Sequence, residues 1–256
     1  MKKSVFVLIL ISLTASAWAQ KKKKNEKAEP AKQETPAPVV VQQPVVAKDS
    51  LPKVNPLTKH FAMKYGMAIQ WNDYEVAKSA LYDLIVENPG NDSLIYDLDV
   101  YYYQNQKHAP AVLVAQELLK RNPKNMAALE IAAVGYENLG VLDRALQNYE
   151  SLYLLQNNPG TLYKMAFLQF RLKRFKESAT SADILLSGKE AETLKVNYND
   201  ASGKPKEYTV KVGLLNLKGM LAQEQGDKVA AKKLYEQTLA LAPDFVLAKE
   251  NMSKLK

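Results

Sequence analysis

From residue 57 onward the chain is punctuated by breaks that resemble one another and return at a fixed interval. They read Asn88-Pro89-Gly90-Asn91-Asp92, Asn122-Pro123-Lys124-Asn125, Asn158-Pro159-Gly160-Thr161 and Ala242-Pro243-Asp244. Proline ends the preceding helix, because it lacks the N–H and clashes with the turn before it. The Asn, Asp or Thr that follows is suited to cap the next helix. Pro89 and Pro123 stand 34 residues apart. Between the breaks lie amphipathic runs of helical length, and a small residue recurs in them at Ala77, Ala111, Ala145, Ser178 and Ala231, in steps of 34, 34, 33 and 53. A small side chain at a helix crossing lets two backbones approach closely. The last step exceeds the period by 19 residues, so five two-helix units fit, with an insertion of that length before the fifth.

A 34-residue period with two helices per unit resembles the tetratricopeptide repeat (TPR) family, over residues 58–243. The small residue of the family's first helix is matched by Ala133, Ala166 and Gly219. Its large residue near the start of the second helix is matched by Tyr74, Leu142 and Phe175, and its closing proline by Pro89, Pro123 and Pro243. The second unit departs from the pattern with Asp99 in the small position, and Leu84, Leu118, Leu152 and Leu185 replace the family's second small residue. The third unit carries its proline late, at Pro159, and the fourth has Glu190 instead. The resemblance implies an all-α, TPR-type helical solenoid of about five helix pairs.

The insertion has a different period. Thr193–Tyr198 (TLKVNY) and Glu207–Val212 (EYTVKV) alternate by two, with Leu194, Val196 and Tyr198 on one face and Tyr208, Val210 and Val212 on the matching one. Residues 199–206 between them are dense in turn formers. The pattern predicts a β-hairpin over 193–212, its apolar face laid on the helices because a lone hairpin is marginal in water. Two readings of it stay open, an edge strand for a partner and an excursion from a tolerant loop. After Pro243, Asp244 is placed to cap a terminal helix over 244–256, whose Phe245, Leu247, Ala248 and Met252 would cover the last repeat, as the end of a solenoid requires.

Upstream, Lys2 and Lys3 precede an apolar run, Val5–Leu13, and then Ala17-Trp18-Ala19. This is the layout of a secretory signal peptide over 1–19, cleaved after Ala19. The run is about half of the roughly 20 residues that cross a bilayer, so no membrane segment is expected to remain after cleavage. The chain is expected in the periplasm, with secretion beyond it the lesser alternative. Residues 20–55 hold eight lysines and five of the 12 prolines and show no helical period; they read as a disordered linker. Lys21–Lys24 suit a weak contact with an anionic surface, or serve only as a solubilising spacer.

Charge and composition exclude several functions. Of the net +8, the leader holds +2 and the linker +4, which leaves +2 over residues 56–256. A nucleic-acid partner, which needs a clustered basic face, is therefore not expected. There is no cysteine, hence no disulfide and no thiolate site, and the only histidines are His60 and His108. No phosphate-cradling glycine loop, nucleophile elbow or His-Glu metalloprotease motif is present. Asp97 and Asp99 lie two apart on a helix and so do not share a face. The reading is of a protein without catalytic residues, metal or cofactor, and not of an enzyme.

The resemblance implies a concave groove lined by the first helices. The second unit contributes Tyr96, Val100, Tyr103 and Gln104, the third Glu130, Val134, Glu137 and Asn138, the fourth Tyr163, Phe167, Phe170 and Arg171, and the fifth Asn216, Met220 and Gln223. Peptide-binding members hold a C-terminal carboxylate with a Lys/Asn/Arg clamp; here the corresponding residues are Ala62, Tyr96, Glu130, Tyr163 and Asn216, so that clamp is absent. What is left is an aromatic groove suited to an extended or helical segment of another cell-envelope protein, a scaffold's role. Sugar rings stacked on the same aromatics are the alternative. Some of these rings could instead be inter-helix core, as Tyr102, Tyr136, Tyr149, Tyr153 and Tyr235 are by their packing faces.

Overall fold

A computed structural model describes residues 55–255. The signal peptide read at 1–19, Lys21–Lys24 and, but for Asn55, the linker read at 20–55 lie outside the described residues.

Five helix pairs follow one another. They are α1 (Pro56–Gln70) and α2 (Tyr74–Glu87), α3 (Asp92–Gln104) and α4 (His108–Arg121), α5 (Met126–Asn138) and α6 (Leu142–Gln156), and α7 (Pro159–Arg171) and α8 (Phe175–Ser187). A short α9 (Glu190–Thr193), β1 (Lys195–Asn199) and β2 (Pro205–Thr209) intervene before the fifth pair, α10 (Val210–Glu224) and α11 (Lys228–Leu241). The terminal helix is α12 (Val246–Ser253). Each second helix packs on the first helix of the next pair, α2 on α3, α4 on α5, α6 on α7 and α8 on α10.

The breaks cap helices much as their composition suggests. The side chains of Asn91 and Asn125 accept from the backbone N–H groups of Ser93 and Ala128. In the third break the cap is Asn158, ahead of the proline, rather than Thr161; it accepts from Gly160 and Thr161. Pro159 then occupies the first turn, where a missing N–H is harmless. The turn inside each pair contains a residue in the left-handed region, at Asn72, Gln106, Gly140, Lys173 and Gly226. These positions step along the chain by 34, 34, 33 and 53, the spacing of the small residues.

All five recurring small residues are buried, as are Ala133, Ala166 and Gly219. At Gly219 an added Cβ would overlap the Tyr235 ring, so the α10–α11 crossing excludes even a methyl group. Ser178 puts its hydroxyl on the Ala166 carbonyl at 2.8 Å and so satisfies itself within the crossing. Leu84, Leu118, Leu152 and Leu185 are buried too. Tyr149 and Tyr235 are core residues as anticipated, while Tyr102, Tyr136 and Tyr153 are partly buried against it.

The insertion is a hairpin, but shorter than its alternation suggested. β1 and β2 pair antiparallel, Val196 opposite Tyr208 and Tyr198 opposite Lys206. Asp200 shapes the tip by accepting from the Ser202 and Lys204 N–H groups. Val210 and Val212, read as strand, belong instead to α10. Val210, Leu214, Leu217 and Leu221 recur at helical spacing and all are buried, so a long apolar helix face outcompetes two more residues of strand.

The terminal helix is also shorter than 244–256, and Asp244 does not cap it. Phe245 holds the capping position without a side-chain bond, and Asp244 accepts instead from Lys206 and from the Tyr208 hydroxyl of the hairpin. Phe245 packs edge-on to both Tyr198 and Tyr208, with ring centroids 4.9 and 5.0 Å away. Hairpin and terminal helix therefore share one core. At the other end α1 exposes Met63 and Met67, whose counterparts two units on, Ile131 and Gly135, are buried. No described element covers that edge.

Candidate functional site

Contacts of α3 with α5 and of α7 with α10 put the first helices of successive pairs on one side of the stack. The candidate residues lie along it, and the structure divides them in two.

Between α3 and α7 the side chains remain accessible. Tyr96 and Tyr103, seven apart and so on one face of α3, are 39% and 38% exposed, and Gln104 is exposed beside them. Val100 is half-buried against the smaller core cluster. On α5, Glu130 and Glu137 are half-buried; Asn138 is exposed and bonds the Val134 carbonyl at 2.8 Å. Arg171 of α7 reaches across to Glu137 at 3.4 Å. The Tyr149 hydroxyl of α6 donates to the other Glu137 oxygen at 3.2 Å and accepts from Lys164 of α7 at 3.3 Å. Glu137 is thus fixed by side chains from two neighbouring helices, whereas Glu130 holds no ion pair among the described residues.

The electrostatics join these groups into one cluster. Burial raises the Tyr103 phenol, and the negative charge of Glu130 raises it further. Tyr149 is pushed well above the ordinary phenol range by burial first and then by Glu137. Burial lowers the Lys164 ammonium, opposed by Glu137 and Glu130. Lys164 was missed in the sequence reading. Its signal was available, a lysine where the preceding unit carries the buried Ile131.

From α7 onward the chain closes its own surface. Tyr163, expected in the groove, is fully buried, and its hydroxyl bonds that of Tyr198 from the hairpin. Gly213 makes the room, since a Cβ there would overlap the Tyr163 hydroxyl. Phe167 and Phe170 are half-buried; Phe167 lies against Tyr163 at 4.9 Å between centroids and Phe170 against Phe175 at 5.6 Å. Asn216, also expected to be accessible, is buried and accepts from Asn251 of α12 at 3.2 Å. Met220 and Gln223 are half-buried, and Gln223 accepts from the Tyr235 hydroxyl. The reason for both corrections is the same. The helix pattern predicts which way a side chain points, and a segment from elsewhere in the chain decides whether solvent lies there.

Two buried polar groups stand apart from this face. Both oxygens of Asp99 and the Nδ1 of His108 are buried with no hydrogen-bond partner among the described residues. Burial alone pushes the Asp99 carboxyl up to about 7. Among the described residues, no three His, Asp or Glu side chains gather where they could hold a metal ion, and no helix is long and apolar enough to cross a membrane.

No family model and no curated protein matches the chain. Solved structures do. A tetratricopeptide repeat protein from Parabacteroides merdae aligns with a TM-score of 0.58 at 18% identity, over 78% of this chain and 73% of that one. A structure of MamA protein aligns with a TM-score of 0.54 at 12% identity, over 77% of this chain and 94% of that one. MamA from Desulfovibrio magneticus RS-1 gives 0.54 at 11% identity, over 75% and 98%. With the five pairs and their 34-residue step, these likenesses establish the fold as a TPR-type helical solenoid.

Proposed function

We propose that this chain is a non-catalytic scaffold of the bacterial cell envelope, holding a segment of a partner protein against the face formed by α3, α5 and α7. The observation that carries the reading is the pair Tyr96 and Tyr103, left exposed on α3, with Glu130 close enough to raise the Tyr103 phenol and the tethered Glu137–Arg171 pair on α5 and α7. Rings supply large contact area at low entropy cost, and a carboxylate held from two neighbouring helices is ready to accept a hydrogen bond without reordering. The partner's segment runs along α3 to α7, because the hairpin and α12 occupy the face beyond α7. The leader-like sequence at 1–19 supports the envelope location.

The test is affinity capture from envelope extract, with the chain and its Tyr96→Ala/Tyr103→Ala variant as parallel baits. Loss of one protein from the variant alone, with unchanged thermal stability, is the expected result. Identical retention by both baits would refute this placement. Sugar stacking on the same tyrosines is the competing reading, and binding on a glycan array that disappears in the variant would replace the scaffold.

A further inference from the structure

We infer that the chain carries a second binding site, for the carboxylate of an acidic peptide, on the side of the stack formed by the second helices. A cavity of about 200 Å³ lies between α4 and α6, lined by Gln116 and the apolar Leu119 of α4, Tyr136 of α5 and Arg144, Gln147, Asn148 and Ser151 of α6. It is separate from the tyrosine face and independent of the function proposed there.

Arg144 differs from the other arginines in its charge environment. The chain has four arginines, and three of them are in ion pairs: Arg121 with Asp92 at 2.8 Å, Arg171 with Glu137 at 3.4 Å and Arg174 with Glu150 at 3.8 Å. Arg144 has no carboxylate partner among the described residues; its Nη1 donates only to Gln147 Oε1, at 3.3 Å. No acidic side chain lines the cavity. A guanidinium presents five donors in a planar fork that matches a carboxylate, so four N–H groups are left for a ligand.

The other polar residues of the lining also offer donors. The Tyr136 hydroxyl accepts from Gln116 Nε2, which frees its own proton. Gln147 spends its amide oxygen on Arg144, leaving its Nε2 to donate. Ser151 and Asn148 point donors at the Gln147 and Arg144 carbonyls, at 3.0 and 2.8 Å, and so hold the α6 side of the cavity in place. The amide oxygens of Gln116 and Asn148 can accept the peptide N–H groups that flank an acidic side chain. Water occupies about 30 Å³ per molecule in the liquid. The cavity therefore has room for a carboxylate with its adjoining peptide unit.

The test titrates isotope-labelled protein by NMR with three probes. They are acetyl-Gly-Gly-Glu-Gly-Gly-amide, the same peptide with Gln for Glu, and acetyl-Gly-Gly-Gly with a free C-terminus. The Glu peptide should shift the Arg144 side-chain and Ser151 backbone signals to saturation, and the Gln peptide should bind about tenfold more weakly, the worth of one charge-assisted hydrogen bond. Arg144→Gln should lose the same factor, and Arg144→Lys should recover part of it, since the charge returns without the fork. Arg144 is exposed and in no ion pair among the described residues, so both variants should keep the wild-type melting point; Tyr96→Ala/Tyr103→Ala should leave the titration unchanged. Saturation by the free-C-terminus probe alone would assign the same site to a terminal carboxylate. Equal binding of the Glu and Gln peptides, or shifts confined to α3, α5 and α7, would overturn the site.

Discussion

Asp99 should make the wild-type protein lose stability as pH rises, and replacing it by alanine should remove its share of that dependence. The carboxyl is buried on α3 without a hydrogen-bond partner among the described residues, and burial pushes it up to about 7 from an ordinary 3.8. The folded state therefore keeps its proton longer than the unfolded chain does. Below about pH 4 both states are protonated and Asp99 imposes no pH-dependent penalty. Between about pH 4 and about pH 7 only the unfolded chain releases the proton, at about 1.4 kcal/mol per pH unit. The accumulated loss above pH 7 is about 4 kcal/mol, a large fraction of a typical domain's stability. Ala133 and Ala166 occupy the same position in their units, so the crossing accepts alanine. Urea denaturation followed by far-UV circular dichroism, across about pH 4 to pH 8, should show a falling wild-type midpoint and a flatter Asp99→Ala profile, with the variant ahead by the alkaline end. Asp99→Asn should also flatten the profile, while leaving an unsatisfied buried amide that costs about 1–3 kcal/mol at every pH. Parallel profiles for wild type and Asp99→Ala would refute the argument.

Three further perturbations separate core from surface. Tyr163→Ala should cost about 3–5 kcal/mol, as truncation of a large buried ring does, whereas Tyr96→Ala should stay within about 1 kcal/mol; comparable melting points for the two would show that Tyr163 is not core. Gly213→Ala pushes a methyl into the Tyr163 hydroxyl and should destabilise by about 1–3 kcal/mol. Limited proteolysis should then cut the hairpin tip at Asp200–Lys204 faster, and an unchanged rate would exclude the proposed anchoring. Gln106 and Lys173 sit at φ 55° and 60°. Glycine at either should raise the unfolding free energy from urea denaturation by about 1 kcal/mol, because the Cβ clash of the left-handed region is removed; no gain at both would mean the turn holds no strain.

The helical stack was legible in the sequence because its determinants are local and repeated. Pro89, Pro123 and Pro243, the buried alanines of each unit and the capping asparagines act through the backbone within a few residues, so their spacing alone specifies five pairs. The insertion was legible as a hairpin for the same reason. Its far boundary was not, since Val210 satisfies a strand alternation and a helix face at once, and only the burial available to α10 decides between them. The candidate site was legible at Tyr96 and Tyr103, where orientation and exposure coincide, and misleading at Tyr163 and Asn216. A repeat pattern states which direction a side chain takes from its helix. Whether that direction meets water depends on Tyr198, 35 residues beyond Tyr163, and on Asn251, 35 beyond Asn216. Those contacts exist because the hairpin and α12 bury their own apolar faces against the stack through Phe245, Tyr198 and Tyr208, and this long-range choice is made by the packing of the whole chain.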